Sequence, residues 1–203
     1  MLLVKIATLE PRQGFVVSRE QPLWLVKEGA LRIDNASATG SKPAFSRIAF
    51  PGDVVGIEQW AGTGCNLVMK ALVPTQLELV DLSATPIAQI LMDSVVIAHQ
   101  RSSEALQLRT GPVARRVQAL LVLFSQQSTS NAESVQDCAL PHLTDMSEIL
   151  DAAPETVSRV FANLRGMDYV IERKRQKAKF SAAAVRDMVL VMGMTASPGI
   201  KAT

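Results

Sequence analysis

The chain has little with which to hold a metal. Its 203 residues include two cysteines and two histidines, and Cys65 and Cys138 stand too far apart in sequence to make a metal-binding pair with His99 and His142. Cys138-x-x-x-His142 alone is a weak signal beside the four ligands of a structural zinc site, so no metal and no cofactor is expected. Long apolar runs are missing as well. No stretch approaches the roughly 18 residues of a membrane span, and Lys5 interrupts the short apolar start, against a secretory signal. The expected location is the cytoplasm, without a membrane partner. Charge of one sign is also scarce: a formal net charge of +2 is too small to announce a nucleic-acid binder, so any basic signal must come from where charges cluster. No internal repeat of solenoid length is visible.

What is present is a soluble, globular composition, 48% hydrophobic and 20% charged, long enough for two modest domains. From Phe15 to Val80 short apolar runs rich in β-branched residues alternate with turns. The spacing predicts strands at Phe15–Val17, Leu23–Val26, Ala30–Asp34, Ala44–Phe50, Val54–Ile57, Leu67–Leu72 and Gln76–Val80. They are broken at Lys27-Glu28-Gly29, Asn35–Pro43, Pro51-Gly52-Asp53 and Ala61–Gly64, which suggests a jelly roll or small barrel. A cupin-like enzyme could use such a roll, but its metal would need histidines clustered inside strands, and neither His99 nor His142 lies in one. No enzymatic activity is expected.

After Pro86 the composition changes to helix. In IAQILMDSVVIAHQRSSEALQLR the residues Leu91, Val95, Ala98, Ser102 and Ala105 recur at steps of 4, 3, 4 and 3, a heptad-like seam whose small members permit close helix approach. The same stripe could instead pack on the chain's own β-roll. A second helix, VARRVQALLVLFSQQ, turns Val117, Leu120, Leu121 and Phe124 inward and Arg115 and Arg116 outward. Ser125 to Asp137 is polar and reads as a linker or mobile loop.

Between Thr144 and Leu164 lies the spacing of two short helices and a tight turn. Met146, Ile149 and Leu150 line one face of the first helix; Val157, Val160, Phe161 and Leu164 line one face of the second. Asp151-Ala152-Ala153 forces the corner, and Pro154 suits a first helical position. The free face of the second helix then presents Glu155, Ser158 and Arg159. Arginine there can bond guanine O6 and N7, and glutamate can accept from cytosine N4; the alternative is an ordinary i,i+4 surface ion pair. Tyr169–Glu172 and Ala178–Ser181 are β-like pieces flanking Arg173-Lys174-Arg175-Gln176-Lys177, a wing whose cations can neutralise phosphates without reading sequence. Ala182–Met192 reads as a last packing helix and Thr195–Thr203 as a frayed tail.

The run ETVSRVFANL followed by GMDYVIERKRQKAKFS resembles the winged helix of the Crp/Fnr family of bacterial transcription regulators. LWLVKEGALRI and FPGDVVGIE are similar to that family's effector-domain signatures, so the resemblance covers roughly residues 14 to 192. It implies an α+β protein with an N-terminal jelly-roll-like β-barrel (1–84), a long dimerisation helix and a connecting helix (85–127), and a C-terminal winged helix-turn-helix (128–203). It places Glu155 and Arg159 at base-reading positions with Ser158 between them, Thr156 at a phosphate, Arg173, Lys174, Arg175 and Lys177 in the wing, and a homodimer through Leu91, Val95, Ala98, Ser102 and Ala105. Double-stranded DNA is the implied partner, and RNA polymerase a further candidate. Two departures bear on the target. Pro154 replaces an arginine of the family motif, and Asp151 stands where the turn usually has glycine, a substitution that aspartate's tolerance of the left-handed conformation allows. For the effector, Glu58 stands near the family's ribose-binding glutamate, but from Gln59 to Met69 there is no arginine or lysine for a cyclic phosphate. Cyclic AMP is therefore not expected to be the ligand, although the glycines of Gly62-Thr63-Gly64 would permit a backbone nest. The alternative function is a ligand-sensing module acting through protein partners.

Overall fold

A computed structural model describes residues 5–18, 20–36, 42–62, 66–83, 86–126, 135–174, 176–181 and 185. The expected domain boundaries at 84/85 and 127/128 lie outside the described residues, as do Cys65 and most of the expected helix over 182–192.

The N-terminal part is built of β1 (Ile6–Leu9), β2 (Gly14–Phe15), β3 (Trp24–Glu28), β4 (Leu31–Asn35), β5 (Ala44–Ala49), β6 (Val54–Val55), a short helix α1 (Ile57–Trp60), β7 (Leu67–Ala71) and β8 (Thr75–Leu79). These make two four-stranded sheets of order β1-β8-β3-β6 and β2-β7-β4-β5, antiparallel throughout. Period-2 alternation decides the packing. Leu31 and Ile33 of β4 face inward with Trp24, Val26, Met69, Ala71 and Leu77 to fill the space between the sheets. All seven expected strands are present, shifted or shortened by a few residues. The chain leaves β6 early because Gly56 adopts φ +99 and starts α1, so Ile57 is helical rather than extended. β1 has no counterpart among the expected strands: it is an edge strand with only Leu9 buried, too little apolar alternation to mark it.

Two long helices follow, α2 (Ile87–Arg109) and α3 (Val113–Ser125), broken at Gly111 (φ +83) and Pro112. Then come β9 (Val135–Ala139), α4 (Leu143–Ile149), α5 (Pro154–Gly166), β10 (Val170–Lys174) and β11 (Lys177–Ser181), the strands forming a sheet of order β10-β11-β9. β9 corrects the expected linker, because its five residues overlap or adjoin the end of that segment and pair with β11, Cys138 opposite Ala178. It escapes notice in the sequence because Gln136 and Asp137 dilute it. The Cys138 side chain enters the core, and there burial pushes its thiol up to about 12. Ser125 likewise belongs to α3.

A second core runs from Phe50, Leu72 and Val73 of the roll through Val117, Leu120, Leu121 and Phe124 of α3 into Met146, Ile149, Val157 and Phe161. The Phe50 and Phe124 rings meet edge to face at 5.3 Å, and Gln118 donates from Nε2 to the Val185 carbonyl at 2.7 Å. Roll, connecting helix and C-terminal helices thus share one apolar interior. Arg116 departs from its expected outward position: it turns in to donate to the Leu150 and Asp151 carbonyls, satisfying the C-terminal end of α4.

Gly52 and Gly56 of the P-G-D-x-x-G turn separate two costs. Both have positive φ, but a Cβ at Gly52 would meet nothing, whereas one at Gly56 would collide with the Pro22 carbonyl. Gly52→Ala is expected to cost about 1 kcal/mol from backbone strain alone. Gly56→Ala should cost at least about 2 kcal/mol more, since backbone must also move. Chemical denaturation of the two variants checks the ordering.

Candidate nucleic-acid interface

α4 and α5 owe their angle to the turn between them. Asp151 adopts φ +48, the left-handed conformation that the sequence led us to expect of it, and Ala152 N–H donates to the Ser147 carbonyl at 3.0 Å. Pro154 opens α5 at its first turn, where no N–H is needed. Met146, Ile149, Leu150, Val157, Phe161 and Leu164 are buried and Val160 is partly so. That leaves Glu155, Ser158 and Arg159 exposed together on the opposite face, with Thr156 half-buried beside them. No ion pair joins Glu155 to Arg159 among the described residues, so the ordinary i,i+4 pairing is not what holds them.

The wing is tighter than expected. β10 and β11 extend to Lys174 and Lys177, and Lys177 is exposed beside the half-buried Gln176. Arg175 and the side chain of Lys174 lie outside the described residues. Arg173 is not a tip residue: its guanidinium lies over the Phe161 ring, 3.9 Å from the centroid. Burial lowers its pKa, and the charge of Arg165 lowers it further. His142 shares a 2.8 Å hydrogen bond between its Nε2 and Gln176 Nε2, which ties the wing turn to the start of α4.

Ion pairs that the sequence did not reveal hold α4 against the roll. Asp145, buried in α4, meets Lys70 of β7 at 2.5 Å and Arg12 at 3.5 Å. Glu148 meets Arg32 of β4 at 2.5 Å and Lys42 at 2.9 Å. The Lys42 hydrogen bond, then that of Arg32, hold the Glu148 carboxyl down to about 2 against the opposing effect of burial. Arg32 also pairs with Asp34 at 2.7 Å. Alternation puts both on the outer face of β4, where a solvent-facing role is the natural reading; both are buried instead, with Arg32 meeting Glu148 of α4. Arg109 of α2 completes the joint, donating to the Glu148 carbonyl at 3.1 Å and lying over the Phe45 ring.

α2 is anchored from the other side. Arg101 forms a fork on Asp53 of the P-G-D-x-x-G turn, at 2.7 and 2.9 Å, and reaches Glu104 at 2.7 Å. Burial opposes its charge, but the hydrogen bonds it donates to Asp53 and Glu104 outweigh it and raise its pKa. Between α2 and the roll is a recess of about 180 Å³ lined by Arg47, Asp53, Glu58, Leu91, Val95 and Arg101, among others. Glu58 is engaged there by Arg47 at 2.8 Å. Of the expected dimer seam, Val95 and Ser102 are exposed, and Leu91 and Ala105 half-buried. Val95 keeps 68% of its surface open, as does Val96, and Met92 keeps 67%. The stripe does not pack as a whole on the chain's own roll. No described helix is long and apolar enough to cross a membrane.

No protein-family model and no curated protein matches this sequence. Solved structures do. FixK2 from Bradyrhizobium japonicum superposes with a TM-score of 0.67 at 20% identity, covering 92% of this chain and 97% of its own. A CRP-family transcriptional regulator from Thermus thermophilus gives 0.67 at 18% identity, over 89% and 94% of the two chains. A cyclic nucleotide-binding domain containing protein from Listeria monocytogenes gives 0.65 at 14%, over 89% and 90%. At such identities the likeness speaks for architecture, and it extends over nearly the whole length of each partner: this chain has the α+β fold of the Crp/Fnr transcriptional regulators, β-roll, long helix and C-terminal helix-turn-helix together.

Proposed function

We propose that the protein is a sequence-specific DNA-binding transcription regulator that acts as a homodimer in the cytoplasm and is not an enzyme. The observation that carries this is the helix-turn-helix, in which one face of α5 is buried while Glu155, Ser158 and Arg159 stand exposed together. Arg159 and Glu155 read base edges; Ser158, Thr156 and the wing cations Lys174, Arg175 and Lys177 hold the backbone. Arg159→Ala is expected to cost about 1–3 kcal/mol on the preferred duplex and to relax preference at one base position, whereas Lys177→Ala weakens all duplexes alike. Selection of duplexes from a random pool, followed by anisotropy titrations, checks this. Equal losses for Arg159→Ala on selected and random DNA would show that it touches backbone only. RNA polymerase is the further partner this reading allows.

A second copy of the chain is the occupant that fits α2. The helix is 23 residues long yet buries only Ile90 and Leu108, leaving Met92, Val95, Val96 and Leu106 exposed beside the small residues Ala98 and Ser102. Two-fold pairing through this stripe presents two recognition helices to half-sites about 34 Å apart. Because Val95 is exposed in the single chain, Val95→Glu should leave the monomer folded while placing unpaired carboxylates in the dimer seam. Sedimentation should then report monomer, with circular dichroism of the folded chain unchanged; a dimer that survives the substitution sinks the assignment of this seam.

DNA binding is not controlled by cyclic AMP in this reading. Both guanidiniums that line the recess beside α2 are already engaged, Arg47 with Glu58 and Arg101 with Asp53 and Glu104. Bringing a phosphate in would require breaking a pair or desolvating an anion against carboxylates. The recess is also below the roughly 300–1,000 Å³ of small-molecule sites. Calorimetric titration with cyclic AMP and cyclic GMP should show no heat of binding, and micromolar binding that tightens DNA affinity would overturn the claim. The competing module that senses a ligand and acts through protein partners has no use for the exposed face of α5, and loss of DNA binding on its alteration separates the two.

A further inference from the structure

A recess on the C-terminal side of the molecule is lined by cations and by no carboxylate. It opens to about 480 Å³ between the loop preceding β2, the start of α4 and the end of α5, and Arg12, Arg165 and Arg173 line it together with Thr144, Ser158 and His142. Arg165 and Arg173 have no acidic partner among the described residues, and Arg173 is partly desolvated on Phe161 while facing the like charge of Arg165. A half-buried guanidinium held near a second one is unfavourable unless an anion joins them.

The third cation comes from the β-roll and is aimed by backbone. Arg12 adopts φ +71, a strained conformation for a residue other than glycine. Two hydrogen bonds to β7 hold it there, Arg12 N–H to the Ala71 carbonyl at 2.7 Å and Ala71 N–H to the Gln13 carbonyl at 2.9 Å. Its Nε lies 3.5 Å from Asp145 while about half of the side chain remains exposed. Asp145 therefore steadies Arg12 from one side and leaves the guanidinium donors that do not face Asp145 open to the recess. Arginine forks match phosphate oxygens, and the Ser158 and Thr144 hydroxyls are further donors. Ser158 also belongs to the exposed face of α5, so the recess is continuous with that face.

We propose that Arg12, Arg165 and Arg173 form one phosphate-binding recess that seats a DNA backbone phosphate beside the recognition helix, so that the β-roll itself supplies a cation to the DNA contact. This rests on the DNA-binding reading above and extends it to a residue outside the helix-turn-helix. The β-roll then affects DNA affinity directly, through its docked position, as well as through the dimer.

The test is a fluorescence anisotropy titration of the full chain on a labelled random-sequence duplex over a range of salt concentrations, because a phosphate contact is indifferent to sequence. Arg12→Gln and Arg165→Gln should each weaken binding roughly tenfold and lower the salt slope by about 1, the signature of one lost phosphate contact. Arg12→Lys should recover most of the affinity, and Arg115→Gln, which removes an exposed cation of α3 outside the recess, should change it less than about twofold. Arg165 has no acidic partner to lose among the described residues, so its variant keeps the test valid even if Arg12→Gln loosens α4 from the roll. Wild-type binding that neither Arg12→Gln nor Arg165→Gln alters overturns this proposal alone; absence of duplex binding by the wild type overturns the DNA reading with it. A calorimetric arm with pyrophosphate separates the sources. Tight pyrophosphate binding that Arg165→Gln abolishes, with duplex affinity unchanged, would assign the recess to a small phosphorylated molecule and overturn the backbone assignment.

Discussion

The placement of α5 turns on two carboxylates of α4. Asp145 and Glu148 stand one helical turn apart on the face that meets the β-roll, and four cations of the roll, Arg12, Lys70, Arg32 and Lys42, converge on them. Asp145 has only 2% of its side chain exposed, so it cannot fall back on water if its partners leave; stripping one partner from a buried pair costs about 3–5 kcal/mol. Such pairs contribute little net stability compared with apolar packing, but they are demanding about geometry. The apolar core from Phe50 and Phe124 into Ile149 and Phe161 supplies adhesion between roll and helix-turn-helix, while the ion pairs select one orientation among those that adhesion would tolerate. α5 and its exposed face inherit that orientation.

How much of this is legible in the sequence depends on whether a residue's partner is near in sequence. The helix-turn-helix is readable because its information is local: apolar spacing, a proline that fits a first turn, and an aspartate that accepts the left-handed turn all agree, and φ +48 at Asp151 bears this out. The strands of the roll are readable for the same reason. β9 and β1 are not, since an edge strand needs only one or two inward side chains and its polar residues look like those of a loop. Least visible are residues whose function is to meet a distant element. Arg32 and Asp34 look like solvent-facing residues of a half-buried strand, yet both are buried, and the partner that Arg32 meets, Glu148 of α4, is 116 positions away. Arg116 likewise looks outward on helical periodicity and turns in to cap the Leu150 carbonyl. Asp53 reads as a turn residue; that it holds α2 through Arg101 depends on a partner 48 positions on.

The two faces of α2 are therefore different in kind. The face toward the roll is fixed by the Asp53–Arg101 fork and by Arg109 against Phe45 and Glu148. The other is an apolar stripe with small residues, left open to solvent in the single chain. A helix fixed so firmly on one side offers its free stripe as a preformed surface, which lowers the ordering cost of association. That is a physical reason for the long helix to serve as a dimer element, independent of any likeness to other proteins.

The same anchoring restricts how any small effector could act. A ligand shifts an equilibrium only by its differential affinity for two states, and the second state here would have to change the contacts of α2 or α4. Entering the recess beside α2 means competing with Asp53, Glu104 and Glu58 for Arg101 and Arg47, so an effector able to do so would carry its own anionic group and release the fork that aligns the helix. Such a ligand would loosen α2 rather than order it, and under the proposed function would oppose DNA binding. The charges of that recess are therefore paired internally, and they hold α2 on the roll without a ligand.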